Sequence, residues 1–212
     1  MPKADLVHVV DDDGAVRDSL GLLLESAGLD VRTYASATEF LNALPQQAAG
    51  CVLTDVRMPE MDGLELQRRL GALGVRLPVI VMTGHGDVPI AVGALKAGAA
   101  DFLEKPFDDQ QLLTAVQSAL AASRQTHDEA AAMAEIASRL ATLTPREREV
   151  LDRLVEGQPN KTIAYDLGSS PRTVEVHRAR VMEKMGARSL PELVRMTMSV
   201  AGSMHPARPR PR

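Results

Sequence analysis

The sequence contains little of what several classes of protein require. Its 212 residues include one cysteine, Cys51, which excludes an internal disulfide framework and fits a reducing cytoplasm. Tryptophan is absent, and two tyrosines and three phenylalanines are too few for a platform that stacks single-stranded nucleic acid. No apolar run approaches the roughly 18 residues of a membrane-spanning helix. These absences leave a globular protein of one large or two small domains, in which 45% of the residues are hydrophobic and 25% are charged.

The net charge of −4 combines two parts of opposite sign. Residues 1–120 contain 9 basic residues (Lys and Arg) and 17 acidic residues (Asp and Glu). Residues 138–212 contain 14 basic and 8 acidic residues, and the short stretch 121–137 contains 1 basic and 3 acidic residues. An acidic first part joined to a basic last part predicts two domains, of which the second faces a polyanion.

Short apolar runs alternate with amphipathic stretches over the first part of the chain. The apolar runs predict five strands, at residues 6–10, 30–34, 51–54, 79–82 and 101–103. The amphipathic stretches predict five helices, at residues 15–27, 38–44, 64–73, 89–97 and 109–120. Continuous apolar strands separated by helices are typical of a parallel sheet that is covered on both faces. We therefore predict that residues 4–120 form an α/β doubly wound domain, with five parallel strands in the order 2-1-3-4-5.

The rest of the chain has no strand pattern. Residues 121–137 favour a helix but have no large apolar residue before Met133, so they are predicted to be a solvated helical linker. Residues 138–201 are predicted to be a domain of four short helices. Proline recurs in residues 202–212, which are predicted to be a disordered basic tail.

Local signals place the four helices of the predicted second domain. Capping boxes begin the first helix at Thr144 and the last at Ser189, and Asn160 is predicted to cap the second helix. The third helix is predicted to begin at Ser170-Pro171 and to end at Met185. A tight turn at residues 168–170 joins the second and third helices, which predicts a helix-turn-helix.

Acidic side chains stand at the ends of two predicted strands. Asp11 and Asp12 follow the first strand, and Asp55 follows the third. In a sheet of order 2-1-3-4-5 these strands are neighbours, and ligands bind outside their carboxyl ends. Converging carboxylates repel one another, and a hard cation such as Mg²⁺ relieves that repulsion while keeping positions open for phosphate oxygens.

Two further side chains are predicted to reach the same edge of the sheet. Thr83 follows the fourth strand and Lys105 follows the fifth. A carboxylate nucleophile beside Mg²⁺, an ammonium and a hydroxyl is an arrangement that accepts a phosphoryl group. The alternative is that these are solvated loop residues. That alternative is the better explanation for any single Asp, but it does not explain why all these positions lie at strand ends.

Eight motifs, in order along the chain, resemble a known family. Those that resemble the receiver domain of two-component response regulators are Val10-Asp11-Asp12, Leu53-Thr54-Asp55-Val56-Arg57-Met58-Pro59, Asp62-Gly63, Met82-Thr83-Gly84 and Phe102-Leu103-Glu104-Lys105-Pro106. Those that resemble a LuxR-type helix-turn-helix lie at residues 143–149, 160–164 and 171–177. Together they cover roughly residues 4–200, and the pairing resembles the FixJ branch of the NarL/FixJ family.

The resemblance implies a role for each matching residue. Asp55 would accept a phosphoryl group from a sensor histidine kinase, and Lys105 would pair with that group. Thr83 and Phe102 would form the switch that responds to phosphorylation, and Lys105–Pro106 would be a cis peptide. The implied ligands of Mg²⁺ are Asp11, Asp12, Asp55 and the backbone carbonyl of Arg57.

The predicted helix 171–185 has two different faces at 100° per residue. The predicted core stripe consists of Val174, Val181 and Met185. Side chains suited to base edges are Glu175, Val176 and Ala179. Side chains suited to phosphates are Lys161, Arg172, Thr173, Arg180, Lys184 and Arg188. In the resembled family this helix enters the major groove of DNA, whereas the alternative for each basic residue is a solvated helix face.

The leading interpretation is a transcription regulator that is phosphorylated stoichiometrically, dimerises and binds promoter DNA. The implied partners are a sensor histidine kinase, double-stranded promoter DNA, RNA polymerase and a second copy of the chain, with no membrane partner. A first alternative is a Mg²⁺-dependent phosphohydrolase with an Asp nucleophile. Such enzymes usually need an acid two residues after the nucleophile, where this sequence has Arg57. A second alternative is a phosphorylation-dependent adaptor that does not bind DNA.

Overall fold

The computed structural model describes residues 6–44, 49–84 and 88–204. By its internal contacts the chain divides into two compact units, residues 1–128 and 129–212. In the described part of the chain, no helix is both long and apolar enough to cross a membrane. The predicted tail from residue 205 onwards lies outside the described residues.

Five parallel strands form the centre of the first unit. They are β1 (Leu6–Val10), β2 (Asp30–Tyr34), β3 (Cys51–Asp55), β4 (Val79–Thr83) and β5 (Asp101–Glu104). Their order is β2-β1-β3-β4-β5, and each neighbouring pair is parallel. The predicted fold class and strand order are therefore confirmed, and each strand lies within one residue of its predicted bounds.

Helices connect these strands. They are α1 (Gly14–Ser26), α2 (Ala37–Ala43), α3 (Gly63–Ala72) and α4 (Val88–Lys96). Each begins and ends one residue before its predicted bounds. At three of them the helix begins directly after a capping residue, because the side chains of Asp13, Ser36 and Asp62 accept hydrogen bonds from backbone N–H groups of the first turn.

The sheet separates two apolar cores. Because successive side chains of a strand point to opposite faces, Cys51 and Leu53 lie in the core with α1, whereas Val52 lies in the core with α2 and α3. Cys51 is fully buried, and burial raises the pKa of its thiol to about 12. The thiol therefore behaves as a small apolar group.

The predicted helix 109–120 and the predicted helical linker 121–137 form one continuous helix that extends to Ala141. The helix α5 (Asp109–Ala141) runs without a break through residues 121–137. Its buried residues lie between Leu112 and Ser123, and after an exposed stretch Ile136 and Leu140 pack against the core of the second unit. The alanine-rich composition of the exposed stretch favours the helix even where little is buried.

Four further helices form the second unit, as predicted. They are α6 (Pro145–Val155), α7 (Asn160–Asp166), α8 (Pro171–Met185) and α9 (Leu190–Met204). Thr144 and Glu147 form the predicted capping box of α6. Ser170 caps α8, which ends at Gly186 in the left-handed conformation, with a φ of 67°.

Two predictions about these helices are wrong. Asn160 does not cap α7, because Pro159 occupies the capping position and Asn160 is the first helical residue. The side chain of Asn160 instead accepts a hydrogen bond of 3.4 Å from Arg178. Residues 202–204 are helical rather than part of the predicted tail, because the first proline that could end the helix is Pro206.

A buried histidine makes the first unit sensitive to acid. His8 of β1 is 1% exposed, its Nδ1 lies 3.0 Å from the Tyr34 hydroxyl, and its ring lies against Phe40. Burial lowers the pKa of His8 from 6.5 to about 4. Between these pH values the unfolded chain takes up a proton at this residue, whereas the folded chain does not. The free energy of unfolding therefore falls as the pH falls through this window.

We expect His8→Leu to remove this part of the pH dependence. From pH 6.5 to about 4 the free energy of unfolding of the parent should fall by about 3 kcal/mol more than that of the variant. Urea unfolding of both proteins across this range measures the difference. His127→Leu, which replaces an exposed histidine of α5, should keep the pH dependence of the parent. Equal pH dependence in the parent and in His8→Leu would contradict this assignment.

Candidate functional site

The sheet brings the predicted site residues to one edge. Asp11 directly follows β1, and Val10 pairs with Thr54, so Asp11 lies beside Asp55 at the end of β3. The backbone N–H of Lys105 donates a hydrogen bond of 2.7 Å to the carbonyl of Thr83, which continues the pairing of β4 and β5 to their ends. The strand-end arrangement expected from the sequence is therefore present.

Lys105 joins two carboxylates at this edge. Its Nζ donates to Oδ1 of Asp55 at 2.5 Å and to Oδ2 of Asp11 at 3.2 Å. The Asp11 side chain is 3% exposed and that of Asp55 is 13% exposed, so both lie largely out of water. Burial alone lowers the pKa of Lys105, but the hydrogen bonds and charges of Asp55 and Asp11 raise it above its ordinary value. Lys105 therefore stays positively charged at neutral pH.

Backbone groups hold the second oxygen of each carboxylate. The N–H of Arg57 donates to Oδ2 of Asp55 at 2.6 Å, and the N–H of Asp13 donates to Oδ1 of Asp11 at 2.9 Å. The Arg17 side chain donates to the carbonyl of Asp11 at 2.6 Å. Each carboxylate is thus oriented from two sides, with one oxygen on Lys105. The predictions did not include Arg17, because its position in α1 has no distinctive sequence signal.

Gly63, the first residue of α3, lets this helix approach the end of β3 closely. A Cβ on Gly63 would overlap the carbonyl of Asp55, and the N–H of Gly63 donates to Val56 at 3.0 Å. Any larger residue at this position would push α3 away from the strand end. The Asp62-Gly63 motif therefore contributes to the site through packing.

The predicted metal ligands come together only in part. Asp11 and Asp55 converge, and the backbone of Arg57 lies at the same edge through its N–H bond to Asp55, whereas the side chain of Asp12 is exposed. In the described segments, no three His, Cys, Asp or Glu side chains are placed to hold a metal ion. The chemistry still fits Mg²⁺, because the donors available at this edge are carboxylate and carbonyl oxygens, the ligands that Mg²⁺ prefers.

The predicted switch residues lie on neighbouring strands. Thr83 is 3% exposed at the end of β4. Phe102 of β5 pairs with Val81 and is 37% exposed, so its ring faces outwards. The Lys105–Pro106 peptide is cis, as the resemblance implied.

The second unit presents the predicted faces of α8. Val174, Val181 and Met185 are its buried residues, which confirms the core stripe. His177 and Arg178 flank it and are half-buried. The exposed residues on the opposite side are Arg172, Thr173, Glu175, Val176, Ala179, Arg180 and Glu183. Lys161 and Arg188, outside this helix, are also exposed.

Lys184 departs from its predicted role as a phosphate contact. Its Nζ donates to Oε2 of buried Glu147 at 2.7 Å and to the carbonyl of Thr142 at 3.1 Å. The hydrogen bond from Lys184, followed by that from the backbone of Thr144, lowers the pKa of Glu147 to about 2. Lys184 is therefore part of an internal ion pair, and its ammonium is directed into the unit rather than towards a ligand.

Two family models match this chain. The model of the response regulator receiver domain matches residues 7–117, and the model of bacterial regulatory proteins of the luxR family matches residues 141–197. Transcriptional regulatory protein FixJ of Azorhizobium caulinodans is 58% identical, over 93% of this chain and 94% of that protein. FixJ of Rhizobium meliloti is 52% identical, over 95% of this chain and 98% of that protein.

Solved structures give the same relationship. Response regulator StyR matches with a TM-score of 0.83 and 41% identity, over 91% of this chain and 98% of that chain. Full-length FixJ from B. japonicum matches with a TM-score of 0.58 and 49% identity, over 95% of this chain and 99% of that chain. The chain therefore belongs to the response regulators in which a receiver domain is followed by a regulatory domain of the LuxR family.

Proposed function

We infer that this protein is a phosphorylation-dependent transcription regulator whose phosphoryl acceptor is Asp55. The observation that carries the acceptor assignment is the contact of Lys105 with both Asp55 and Asp11 at the carboxyl ends of three strands. Because Lys105 already stabilises negative charge at Asp55, it can stabilise the additional charge of an acyl phosphate.

The proposed reaction uses Asp55 as the nucleophile. One carboxylate oxygen of Asp55 attacks the phosphorus of a phosphohistidine in a sensor kinase, the P–O bond forms, and the P–N bond to the histidine breaks. The kinase histidine then takes up a proton and leaves as neutral imidazole, while Lys105 pairs with the transferred group. When bound, Mg²⁺ supplies positive charge that neutralises phosphate oxygens, and its proposed ligands are Asp11, Asp12, Asp55 and the carbonyl of Arg57.

We propose that Thr83 and Phe102 transmit the phosphorylated state to the surface. The buried hydroxyl of Thr83 would donate to a phosphoryl oxygen, and the neighbouring strand would alter how the Phe102 ring is packed. Val92 and Leu95 of α4 are each 44% exposed, and Phe102 adds a third exposed apolar side chain. Covering such side chains favours self-association, so phosphorylation would produce a homodimer.

The proposed DNA contacts lie on the exposed face of α8 and beside it. They are Lys161, Arg172, Thr173, Glu175, Val176, Ala179, Arg180 and Arg188. Two such helices in a dimer would read paired half-sites in the major groove of promoter DNA. We propose RNA polymerase as the further partner and the cytoplasm as the location, because the regulator acts on promoter DNA.

The phosphohydrolase alternative is less favoured. The position two residues after Asp55 is Arg57, which cannot serve as the carboxylic acid that protonates a leaving group. We therefore propose that the protein takes up phosphoryl groups stoichiometrically and is not an enzyme.

Asp55→Asn tests the acceptor assignment. With Mg²⁺ and a small phosphodonor, the parent should gain one phosphoryl group that is released by base, as intact mass spectrometry can measure. Asp55→Asn should gain none, because an amide does not form an acyl phosphate. Asp18→Asn, which changes an exposed carboxylate of α1, should be labelled like the parent. A label that persists in Asp55→Asn, or one found on Ser or Thr, would reject the assignment.

A further inference from the structure

The last turns of α5 contact the end of α8 through an arginine. Nη1 of Arg139 donates to the carbonyl of Met185, the last residue of α8, at 2.9 Å. Nε of Arg139 donates to Oε1 of Glu135 at 2.9 Å, one turn earlier in α5. The last carbonyls of a helix have no partner within it, and a cation there also interacts favourably with the helix dipole. Arg139 therefore satisfies and holds the end of α8.

Gly186, the residue directly after α8, lies close to the Arg139 side chain. Gly186 has a φ of 67°, and a Cβ at this residue would lie 2.5 Å from Nη1 of Arg139. A Cβ would therefore require the guanidinium to move, whereas glycine leaves its hydrogen bond with Met185 undisturbed.

The same end of α8 has further contacts with the end of α5. Lys184 donates to the carbonyl of Thr142, directly after α5. Ile136 and Leu140 of α5 belong to the apolar cluster that contains Val181 and Met185 of α8. Polar and apolar contacts therefore both fix α8 against the end of α5.

These contacts lie on the side of α8 away from its exposed face. Val181 and Met185 are buried, whereas Val176, Ala179 and Arg180 are exposed. A change in the contacts at one end of this helix would change the position of the exposed residues along its length. We propose that Arg139 is a positioning residue of the DNA-reading helix, acting through the carbonyl of Met185.

This inference rests on the proposed reading role of α8 and extends the DNA-binding element. The luxR-family match begins at residue 141. Arg139 and Glu135 precede that match, although they belong to the same compact unit, which begins at residue 129. The element that determines DNA binding would therefore include the last turns of α5.

The experiment compares specific with non-specific DNA binding in the full-length protein. The specific probe is a duplex that the parent selects from a random-sequence pool, and the non-specific probe is an unselected duplex of equal length. Arg139→Ala should bind the selected duplex about tenfold more weakly, which corresponds to about 1.4 kcal/mol, and should bind the unselected duplex within about twofold of the parent. A residue that only stabilises the fold would leave the ratio of the two affinities unchanged below the unfolding temperature.

Two more variants complete the experiment. Arg195→Ala removes one exposed positive charge from α9 and should keep the affinity ratio of the parent. Glu135→Gln keeps Arg139 but weakens the contact that orients it. It should therefore lower the ratio of selected-duplex to unselected-duplex affinity, by a smaller factor than Arg139→Ala does. It also tests the proposal if Arg139→Ala fails to fold. An unchanged ratio in the folded Arg139→Ala or Glu135→Gln protein would overturn the positioning role, whereas failure of the parent to select any duplex would overturn the DNA-reading role itself.

Discussion

Ala179→Asp should lower the affinity for the selected duplex by roughly 100-fold or more, which corresponds to about 3 kcal/mol. Ala179 is exposed on α8 between Val176 and Arg180, on the side away from the buried stripe. A carboxylate there would face the acceptor edges of bases and the negative phosphates of the groove. Because the side chain does not contribute to the core, the variant should fold like the parent. Footprinting and circular dichroism measure these two results.

The matched control is Ala122→Asp. Ala122 is an exposed alanine inside α5 and distant in sequence from its last turns, so the substitution makes the same change of charge with a similar cost in helix propensity. It should leave the affinity for the selected duplex close to that of the parent. If Ala179→Asp gave the footprint of the parent, a different face of the second unit would have to contact DNA.

The periodicity of the sequence was sufficient to place the faces of α8. Val174, Val181 and Met185 fall on one line at 100° per residue, and these are its buried residues. The strands were predictable for a similar reason, because continuous apolar runs such as 79–82 must be covered on both faces. The site edge then followed, since Asp11, Asp55 and Lys105 all stand at carboxyl ends of parallel strands.

The partners of individual charged side chains were not predictable from such patterns. Lys184 looks like a basic residue of a reading helix, but its partner Glu147 lies 37 positions away. Arg139 stands at the start of the predicted second domain, where no local pattern gives it a partner, but it contacts a carbonyl 46 positions away. These pairs depend on how helices pack together, which the local period of a helix does not determine. The same applies to α5, whose composition favours a helix without indicating where it ends.

Thr83 occupies the position from which phosphorylation could be transmitted. It is buried at the end of β4, and its carbonyl accepts the hydrogen bond from the backbone of Lys105, the residue that contacts Asp55. Phe102 lies three residues before Lys105 on the edge strand β5, with its ring partly exposed. A phosphoryl group on Asp55 that attracts the Thr83 hydroxyl would therefore act directly beside the strand that carries Phe102.

We expect Thr83→Ala to separate phosphorylation from dimerisation. The variant retains Asp55 and Lys105, so it should accept a phosphoryl group to the same extent as the parent. A hydrogen bond to a charged group contributes roughly 1.5–3 kcal/mol. The increase in the dimerisation constant on phosphorylation should therefore be about tenfold or more smaller in the variant than in the parent. Sedimentation with and without a small phosphodonor measures this gain.

Thr83→Ser is the matched control, because it keeps the hydroxyl and removes only a methyl group. It should retain most of the phosphorylation-dependent dimerisation. A shift from about 1:99 to 99:1 in favour of the active state needs about 5.5 kcal/mol, which is more than one hydrogen bond supplies. A shift of that size would also need the contact of Lys105 with the phosphoryl group, and a small residual gain is then expected in Thr83→Ala. If Thr83→Ala instead dimerised on phosphorylation as strongly as the parent, the hydroxyl of Thr83 would have no part in the switch.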